Sequence, residues 1–254
     1  MKRRIDVLLV ERGLAESRQK AQALLLAGQV LAGEQKVEKA GQMVDAGISI
    51  RMLGTLPFAS RAGAKLRAAL DHFRIPVEGR VCADLGASTG GFTDCLLQRG
   101  AREVHAFDVG KGLLDWKLRS DARVTVHDEY NVRNITPQDL PAGISMVTVD
   151  LSFISLTKIL APLGSALRQS GTIGAIDLVL LVKPQFEVGK GEVGKGGIVR
   201  DAAQRSAALR QVELFAAQHE FQSLGSMDSP VAGSKGNVEF LLYLRFDPVL
   251  SSPL

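Results

Sequence analysis

The 254-residue chain is long enough for one domain of ordinary size and a small additional module. Apolar residues make up 46% of it and aromatic residues only 5%, which predicts an aliphatic α/β core and excludes a disordered chain. The sequence has no apolar run of the roughly 18 residues that a membrane-spanning helix requires. Its two cysteines are too few for a disulfide framework, so the sequence predicts a cytoplasmic protein.

The net charge of +4 is concentrated near the N-terminus. Residues 1–56 contain nine Lys and Arg against six Asp and Glu, which leaves only +1 for the rest of the chain. A basic excess on a small module is typical of a surface that binds a polyphosphate partner such as RNA. A surface that only keeps a protein soluble has the same signature, so the charge alone does not decide between them.

Residues 1–56 predict a small α+β domain. Apolar residues at helical spacing predict a helix over residues 5–11. Ser17 is a typical N-cap residue and predicts a second helix over residues 17–27. Short apolar clusters at residues 30–31 and 48–50 predict small strands.

Four runs of this segment match a known module: Ile5–Leu9, Gly13-Leu14, Ser17–Ala21 and Ala27–Val30. On these runs the segment resembles the small RNA-binding domain named after ribosomal protein S-four. The resemblance implies that the first turn of the second helix faces RNA phosphates, and it gives Arg4, Arg18 and Lys20 as RNA-binding residues. The alternative is a pair of helices that only packs against the larger domain.

The pattern changes after residue 56. Residues 57–64 predict a linker, because Pro57 interrupts the preceding strand pattern, and residues 65–248 predict a larger domain. Strands alternate with helices in this domain, which predicts a Rossmann-like, doubly wound, mostly parallel sheet. The predicted strands are residues 81–84, 103–107, 124–126, 145–149, 176–182 and 239–246, and the predicted helices are residues 92–99, 113–118, 202–219 and one that carries Lys65.

A glycine-rich turn follows the first of these strands, with the spacing G-x-x-x-G-G at Gly86, Gly90 and Gly91. Glycine lets a backbone turn sharply and approach a ligand closely. Asp84 lies just before the turn, where it would repel the pyrophosphate that a dinucleotide-binding fold holds there. A carboxylate at this place suits a cationic group such as the amine of S-adenosylmethionine, and the spacing disfavours a nicotinamide oxidoreductase.

Two further acidic residues follow strands at the same edge of the predicted sheet. Asp108 is placed to accept hydrogen bonds from ribose hydroxyls, and Asp128 is placed to reach an adenine amino group. Any one such carboxylate is also common in ordinary turns. The predicted cofactor-binding residues are Asp84, Gly86, Ala87, Ser88, Gly90, Gly91, Phe92, Asp108 and Asp128.

Five runs of the chain match a methyltransferase pattern: Ser60–Leu66, Asp84–Asp94, Asp150–Leu156, Leu181–Glu187 and Gly194–Asp201. On these runs residues 60–246 resemble the FtsJ-like ribose methyltransferases, and the full chain resembles the TlyA-type ribosomal RNA methyltransferase and haemolysin family. The resemblance implies S-adenosylmethionine as the cofactor, no metal, and a methyl group transferred to a ribose 2′-hydroxyl of a cytidine. It also implies ribosomal RNA or ribosomal subunits as partners.

The resemblance further implies a catalytic tetrad of Lys65, Asp150, Lys183 and Glu239. A ribose hydroxyl is a poor nucleophile that must lose its proton as it attacks the sulfonium methyl group. A lysine side chain accepts such a proton only when its pKa lies well below the ordinary value of ~10.4, which burial and a neighbouring ammonium both favour.

These requirements assign a role to each member of the tetrad. Lys183 follows a buried strand and is the predicted general base, with Lys65 as the like charge nearby. Asp150 would orient the ammonium or the hydroxyl, Glu239 would hold Lys65, and alignment of oxygen, methyl and sulfur would supply much of the rate gain. The alternative is a structural cluster of ion pairs without catalytic function.

Two near-repeats at residues 188–192 and 193–197 place Lys190 and Lys195 among glycines. Glycine supplies mobility and lysine attracts phosphate, so this loop is a candidate to close over RNA. A solvated connection is the alternative. Arg61 completes the set of predicted RNA-binding residues.

Two other functions remain open at this point. The family name includes haemolysins, which suggests a membrane-active protein, but the sequence has no spanning segment, signal-peptide pattern or long basic amphipathic helix. A non-catalytic, RNA-binding ribosome assembly factor would be expected to have a broken tetrad or cofactor pocket, and the sequence keeps both.

Overall fold

The computed structural model describes residues 2–26, 29–33, 35–37, 39–52, 57–189, 193–194, 196–233 and 236–248. The chain divides into two compact units, Met1–Pro57 and Phe58–Leu254. Phe58 is buried in the second unit, where its ring lies so close to Gly63 that an added Cβ on Gly63 would come within 2.4 Å of it. The second unit therefore begins inside the segment that the sequence analysis assigns to a linker.

The N-terminal unit has its own apolar core, to which Ile5, Leu9, Leu25 and Val30 contribute. Ser17 caps the second helix as predicted, because its Oγ accepts a hydrogen bond of 3.2 Å from the backbone N–H of Lys20. The elements are β1 (Lys2–Arg4), α1 (Ile5–Glu11), α2 (Arg18–Leu26), β2 (Val30–Ala32), β3 (Gln35–Lys36), β4 (Met43–Asp45) and β5 (Ile50–Met52).

Two small antiparallel sheets complete this unit. Strand β1 pairs with β4, and β2 pairs with both β3 and β5. The first helix has the predicted bounds, whereas β5 begins at Ile50, where the predicted strand ends. Strands of two or three residues are too short to show the alternation on which strand prediction depends, which explains why β1, β3 and β4 were not predicted.

The second unit contains one seven-stranded sheet with helices on both faces. Its strand order is β11-β12-β10-β9-β6-β7-β8, in which β6 to β10 are parallel and β12 is antiparallel to both of its neighbours. The elements are α3 (Ala62–Phe73), β6 (Val81–Leu85), α4 (Gly91–Gln98), β7 (Glu103–Phe107), α5 (Trp116–Arg119), β8 (Val124–His127), β9 (Ile144–Val149), α6 (Thr157–Gln169), β10 (Ile176–Val182), α7 (Pro184–Glu187), α8 (Ala202–Gln218), β11 (Phe221–Asp228) and β12 (Phe240–Phe246).

Apolar side chains on alternate positions of the central strands fill two core layers. Along β10, Leu178 and Leu180 pack with residues of α6 and α8, whereas Val179 and Leu181 pack with residues of α3 and α4. Every residue of β6 and β10 is buried, as expected for parallel strands covered on both faces. The predicted fold class, a doubly wound α/β sheet, is confirmed.

Strand order places a crevice at one edge of the sheet. From β6 the chain adds β7 and β8 on one side and then returns to add β9 and β10 on the other. The loops that follow β6 and β9 leave in opposite directions at this switch point, and ligands of doubly wound sheets bind there.

Candidate active site

The loops after β6 and β9 approach each other closely at the switch point. Gly86 has a φ of +90°, and a Cβ added to it would come within 2.4 Å of the carbonyl oxygen of Asp150. No side chain fits between these two backbones, so glycine is required at this position. The contact places Asp150 beside the glycine-rich turn.

A cavity of about 500 Å³ opens on the β7 side of this contact. Asp108, the residue after β7, lies in its wall, and its two carboxylate oxygens accept hydrogen bonds of 2.8 Å from the backbone N–H groups of Ser88 and Gly110. The carboxylate is thereby fixed in the cavity and keeps lone pairs for a ligand. The cavity is lined by Gly86, Ser88, Phe107, Asp108, Val109, Leu113, Tyr130, Asn131, Val132, Arg133, Asp150, Leu151, Ser152, Phe153 and Ile154.

Two of the acidic residues predicted to bind the cofactor are not among the described residues that line this cavity. Asp84 is fully buried, and its carboxylate accepts hydrogen bonds from the hydroxyls of Thr93 (2.7 Å) and Thr148 (2.9 Å). Burial raises the pKa of Asp84 to about 6. Asp128 forms an ion pair with Arg119 and accepts a hydrogen bond of 3.2 Å from the N–H of Gly112.

The rest of the predicted glycine turn lies at a smaller cavity of about 160 Å³. Its lining includes Ala87, Gly91 and Phe92, together with Gly86, Ser88, Asp150 and Lys183. Gly90 is buried with a φ of +97°, and an added Cβ would come within 2.2 Å of Leu118. This glycine therefore shapes the turn and does not line the cavities.

A larger cavity, of about 550 Å³, contains all four residues of the predicted tetrad in its lining. The ammonium of Lys65 lies 2.5 Å from a carboxylate oxygen of Glu239, and that of Lys183 lies 2.6 Å from a carboxylate oxygen of Asp150. Lys183 also donates a hydrogen bond of 3.0 Å to the Oγ of Ser152. The remaining lining residues are Ser60, Arg61, Ala62, Phe153, Gln185, Phe186, Val193, Gly197, Val231, Ala232 and Asn237.

The sheet explains how residues so far apart in sequence meet. Asp150 and Lys183 directly follow the adjacent parallel strands β9 and β10, so their side chains emerge at the same edge. Glu239 directly precedes β12, and because β12 is antiparallel its beginning lies at that edge. Lys65 comes from the first turns of α3 and is buried. Asp150, Ser152 and Phe153 line both large cavities, so the tetrad lies beside the cavity that contains Asp108.

Several residues of the site were missed by sequence reasoning. Tyr130 and Arg133 line the cavity of Asp108, and Phe153, Gln185 and Asn237 line the tetrad cavity. They lie in loops or in short elements, where periodicity gives no signal. For Phe153 and Gln185 a signal existed, because both belong to runs on which the family resemblance rests.

The residues predicted to bind RNA have different surroundings. Arg4 and Arg18 are exposed in part, and both donate hydrogen bonds to the fully buried carboxylate of Asp6, at 2.9 to 3.0 Å. Lys20 is exposed in the first turn of α2, and Arg61 is exposed in the lining of the tetrad cavity. Lys190 and Lys195 lie outside the described residues.

Metal-binding clusters and membrane-spanning helices are both absent from the described part of the chain. It contains no group of three or more His, Cys, Asp or Glu side chains that would hold a metal ion. None of its helices has both the length and the apolar character that crossing a membrane requires.

Known proteins match the chain over nearly its whole length. The 16S/23S rRNA (cytidine-2'-O)-methyltransferase TlyA of Mycobacterium tuberculosis is 45% identical over 245 residues, which cover 95% of this chain and 89% of that protein. Hemolysin A of Brachyspira hyodysenteriae is 39% identical over 241 residues, which cover 94% and 98%. A solved structure from Streptococcus thermophilus, assigned as a hemolysin, has a TM-score of 0.75 and 40% identity and covers 99% of this chain and 90% of that one.

Family comparisons divide the chain as its two units do. Residues 3–48 match the S4 domain, and residues 58–246 match the FtsJ-like methyltransferase family. The second match covers most of the chain and includes both cavities and the four residues of the tetrad. The chain is a methyltransferase and belongs to the FtsJ-like methyltransferase family.

Proposed function

We propose that the protein transfers a methyl group from S-adenosylmethionine to the 2′-hydroxyl of a cytidine in ribosomal RNA. The observation that carries the proposal is the pairing of Lys183 with Asp150 and of Lys65 with Glu239 in one cavity, directly beside a second cavity that contains Asp108. The relative from Mycobacterium tuberculosis, with the name of a cytidine-2′-O methyltransferase, supports the substrate.

The cavity that contains Asp108 fits S-adenosylmethionine. Its volume is in the range of about 300–1,000 Å³ that is common for small-molecule sites. Asp108 would accept hydrogen bonds from the ribose hydroxyls of the cofactor. Tyr130 and Leu113 would offer apolar surface for its adenine. When bound, the cofactor supplies an electrophilic methyl group on a sulfonium sulfur.

Residues of the larger cavity would then prepare the hydroxyl. In its neutral amine form Lys183 accepts the proton of the hydroxyl and becomes the ammonium that Asp150 and Ser152 hold through contacts of 2.6 and 3.0 Å. Glu239 holds Lys65 as a positive charge in the same cavity. An oriented hydroxyl and a fixed methyl donor convert a two-molecule reaction into one that occurs within the complex.

Mass mapping of ribosomal RNA fragments tests the proposal. RNA from cells that lack the gene is incubated with the purified protein and S-adenosylmethionine, and the fragments are compared with untreated ones. We expect one fragment to gain the mass of a methyl group, and its nucleosides to include 2′-O-methylcytidine. A methyl group on a base, or transfer that persists when Lys183 is replaced by Ala, would contradict the proposal.

The hemolysin names of two relatives favour a second candidate function, membrane permeabilisation. Leakage of dye from liposomes with purified protein tests it directly. We expect no leakage at concentrations at which RNA is methylated, because the described residues contain no helix that would cross a bilayer. Leakage that survives Lys183→Ala would establish a second activity independent of the tetrad.

A further inference from the structure

The side chain of Asn237 joins two segments that line the larger cavity. Its Oδ1 accepts a hydrogen bond of 3.0 Å from the backbone N–H of Val199, and its Nδ2 donates one of 2.8 Å to the backbone carbonyl of Gly197. The residue is only 2% exposed. Because it is buried and both ends of its amide are engaged, Asn237 acts on a ligand through the backbone that it holds and not by direct contact.

The segment that Asn237 holds ends the second near-repeat of the sequence and turns tightly. The N–H of Gly194 donates to the carbonyl of Ile198 at 3.2 Å, and the N–H of Gly197 donates to the carbonyl of Gly194 at 3.0 Å. Gly197 has a φ of +79°, a conformation that glycine adopts without strain. It is partly exposed and lines the cavity, so it presents bare backbone to a ligand.

The segment that carries Asn237 leads directly into the tetrad. Asn237 lies two residues before Glu239, and both line the cavity. The backbone carbonyl of Asn237 accepts a hydrogen bond of 2.9 Å from the N–H of Gly233, and that of Glu239 accepts one of 2.8 Å from the N–H of Ser229. The amide of Asn237 therefore attaches the wall at Gly197 to the same framework that positions Glu239.

The ligand of this cavity under the proposed function is a nucleotide whose ribose lies at Lys183. A wall of bare backbone, as at Gly197, lets the sugar and phosphate of an RNA strand approach closely. A wall that contacts the nucleotide equally before and during methyl transfer contributes to binding and not to the chemical step. Its loss raises KM and leaves kcat almost unchanged.

We propose that Asn237 is a positioning residue for the RNA substrate: it holds the backbone of Gly197 and Val199 as the cavity wall against which the target nucleotide binds. The inference rests on the proposed function. It adds a residue that acts on the binding of RNA, distinct from the tetrad that acts on the ribose hydroxyl.

The test uses the full-length protein and a synthetic RNA fragment that spans the mapped site. Asn237→Ala removes both contacts of the amide. Gly194→Ala disturbs the same wall without changing Asn237, because its Cβ would come within 2.9 Å of the carbonyl oxygen of Ile198. Gln218→Ala removes an exposed amide at the end of α8 and is the control. The measurements are kcat, KM for the RNA, the pH dependence of kcat, and calorimetric affinity for S-adenosylmethionine.

We expect Asn237→Ala and Gly194→Ala each to raise KM for the RNA by about 10-fold and to change kcat by less than about 3-fold. The pH dependence of kcat and the affinity for S-adenosylmethionine should stay as in the unmodified protein, and Gln218→Ala should match that protein throughout. If Asn237→Ala loses cofactor affinity because it does not fold, Gly194→Ala decides the question.

An unchanged KM in either folded variant would overturn this inference. A large loss of kcat with a shifted pH dependence in Asn237→Ala would also overturn it, because Asn237 would then act through Glu239 and Lys65. Both results leave the proposed function standing, whereas absence of ribose methylation by the unmodified protein would overturn the proposed function and the inference together.

Discussion

The two lysines of the tetrad cavity have unequal surroundings. Lys183 contacts both Asp150 and Ser152, and these two residues also line the cavity proposed for the cofactor. Lys65 contacts Glu239, which lines only the tetrad cavity. Lys183 is therefore the lysine closer to the place where a methyl group would cross, which supports its proposed role as the base.

Replacing Lys183 with Arg should abolish methyl transfer. Guanidinium stays protonated and cannot accept the proton of the hydroxyl, so we expect a loss of at least about 100-fold in the single-turnover rate, with cofactor affinity nearly unchanged. Lys65→Arg is the matched control. If Lys65 acts only as a positive charge, this variant should retain part of the methyl-transfer activity, because arginine keeps the charge. Near-normal turnover of Lys183→Arg at several pH values would contradict the role of Lys183 as the base and leave it only the role of a positive charge.

Asp84 should make stability depend on pH. Its pKa is raised by burial from 3.8 to about 6, so its contribution to stability is fully present below pH 3.8 and is lost as the pH rises through 6. Asp84→Asn cannot titrate. We expect the free energy of unfolding of the natural protein to fall relative to Asp84→Asn by up to about 3 kcal/mol between pH 4 and 7. Urea denaturation across this range measures the difference, and parallel curves would show that Asp84 does not titrate there.

The structure groups the predicted tetrad more closely than the residues predicted to bind the cofactor. The four residues of the tetrad share one cavity, as the resemblance implies. Asp84 has a different place from the predicted one, because alternate residues of a strand face opposite sides of the sheet and its side chain points to Thr93 on α4. A rule based on strand ends gives the edge of the sheet at which a residue lies, but it does not give the direction of its side chain.

At the scale of elements, Glu187 connects the two loops that carry the tetrad residues Asp150 and Lys183. It ends α7, which follows Lys183, and it accepts hydrogen bonds from Ser155 and Leu156 at the start of α6, in the loop that follows Asp150. These N–H and hydroxyl groups lie at a helix N-terminus, where a carboxylate is favoured. Burial raises the pKa of Glu187 nevertheless.

Loss of this connection should affect turnover more than cofactor binding. We expect Glu187→Ala to destabilise the fold by about 1–3 kcal/mol and to lower kcat by about 10-fold, because the buried N–H of Leu156 and the partly buried hydroxyl of Ser155 lose their acceptor and the Lys183–Asp150 pair loosens. Glu187→Gln keeps one acceptor and should be milder, and Glu78→Gln changes an exposed carboxylate as a control. If Glu187→Ala keeps normal kcat while losing stability, the residue has only a structural role.

Three labelled elements of the second unit escaped prediction, namely α6, α7 and β11, and the reasons are identifiable for α6 and β11. Helix α6 contains Pro162 and Gly164, which have low helix propensity, and it forms because Leu160, Leu163 and Leu167 are buried against the sheet. Strand β11 is an edge strand, and most of its residues are at least partly exposed, so it lacks the apolar signal of the central strands. Tertiary packing, and not the local sequence pattern, determines the secondary structure of α6 and β11.

At the scale of the whole molecule, the N-terminal unit carries most of the excess positive charge but none of the tetrad. In this unit Arg4 and Arg18 both donate hydrogen bonds to the buried carboxylate of Asp6, which holds their guanidinium groups in place. The hydrogen bond from Arg4 lowers the pKa of Asp6. If these arginines bind RNA, as the sequence predicts, fixing two guanidinium groups in advance would reduce the entropy that each loses on binding a phosphate.

Deleting residues 1–56 should weaken RNA binding and leave cofactor binding intact. Phosphate binding releases counterions, so the slope of log affinity against log salt should decrease by about 0.7–0.9 for each phosphate that the shortened protein no longer neutralises. Arg18→Ala in the full chain should decrease this slope by the amount expected for one phosphate. Glu16→Ala, at an exposed neighbouring residue, is the control. Equal RNA affinity of the truncated and full-length proteins at several salt concentrations would assign the unit another role.

The position of β12 between β10 and β11 has a consequence for when activity can arise. The contact between Lys65 and Glu239 joins residues 174 positions apart, and Glu239 directly precedes β12, which is the last strand in chain order among the described residues. A growing chain emerges from the ribosome N-terminal part first, so Lys65 lacks its carboxylate, and β10 lacks a neighbour, until this strand has emerged and entered the sheet. The tetrad therefore remains incomplete in a nascent chain until β12 has entered the sheet.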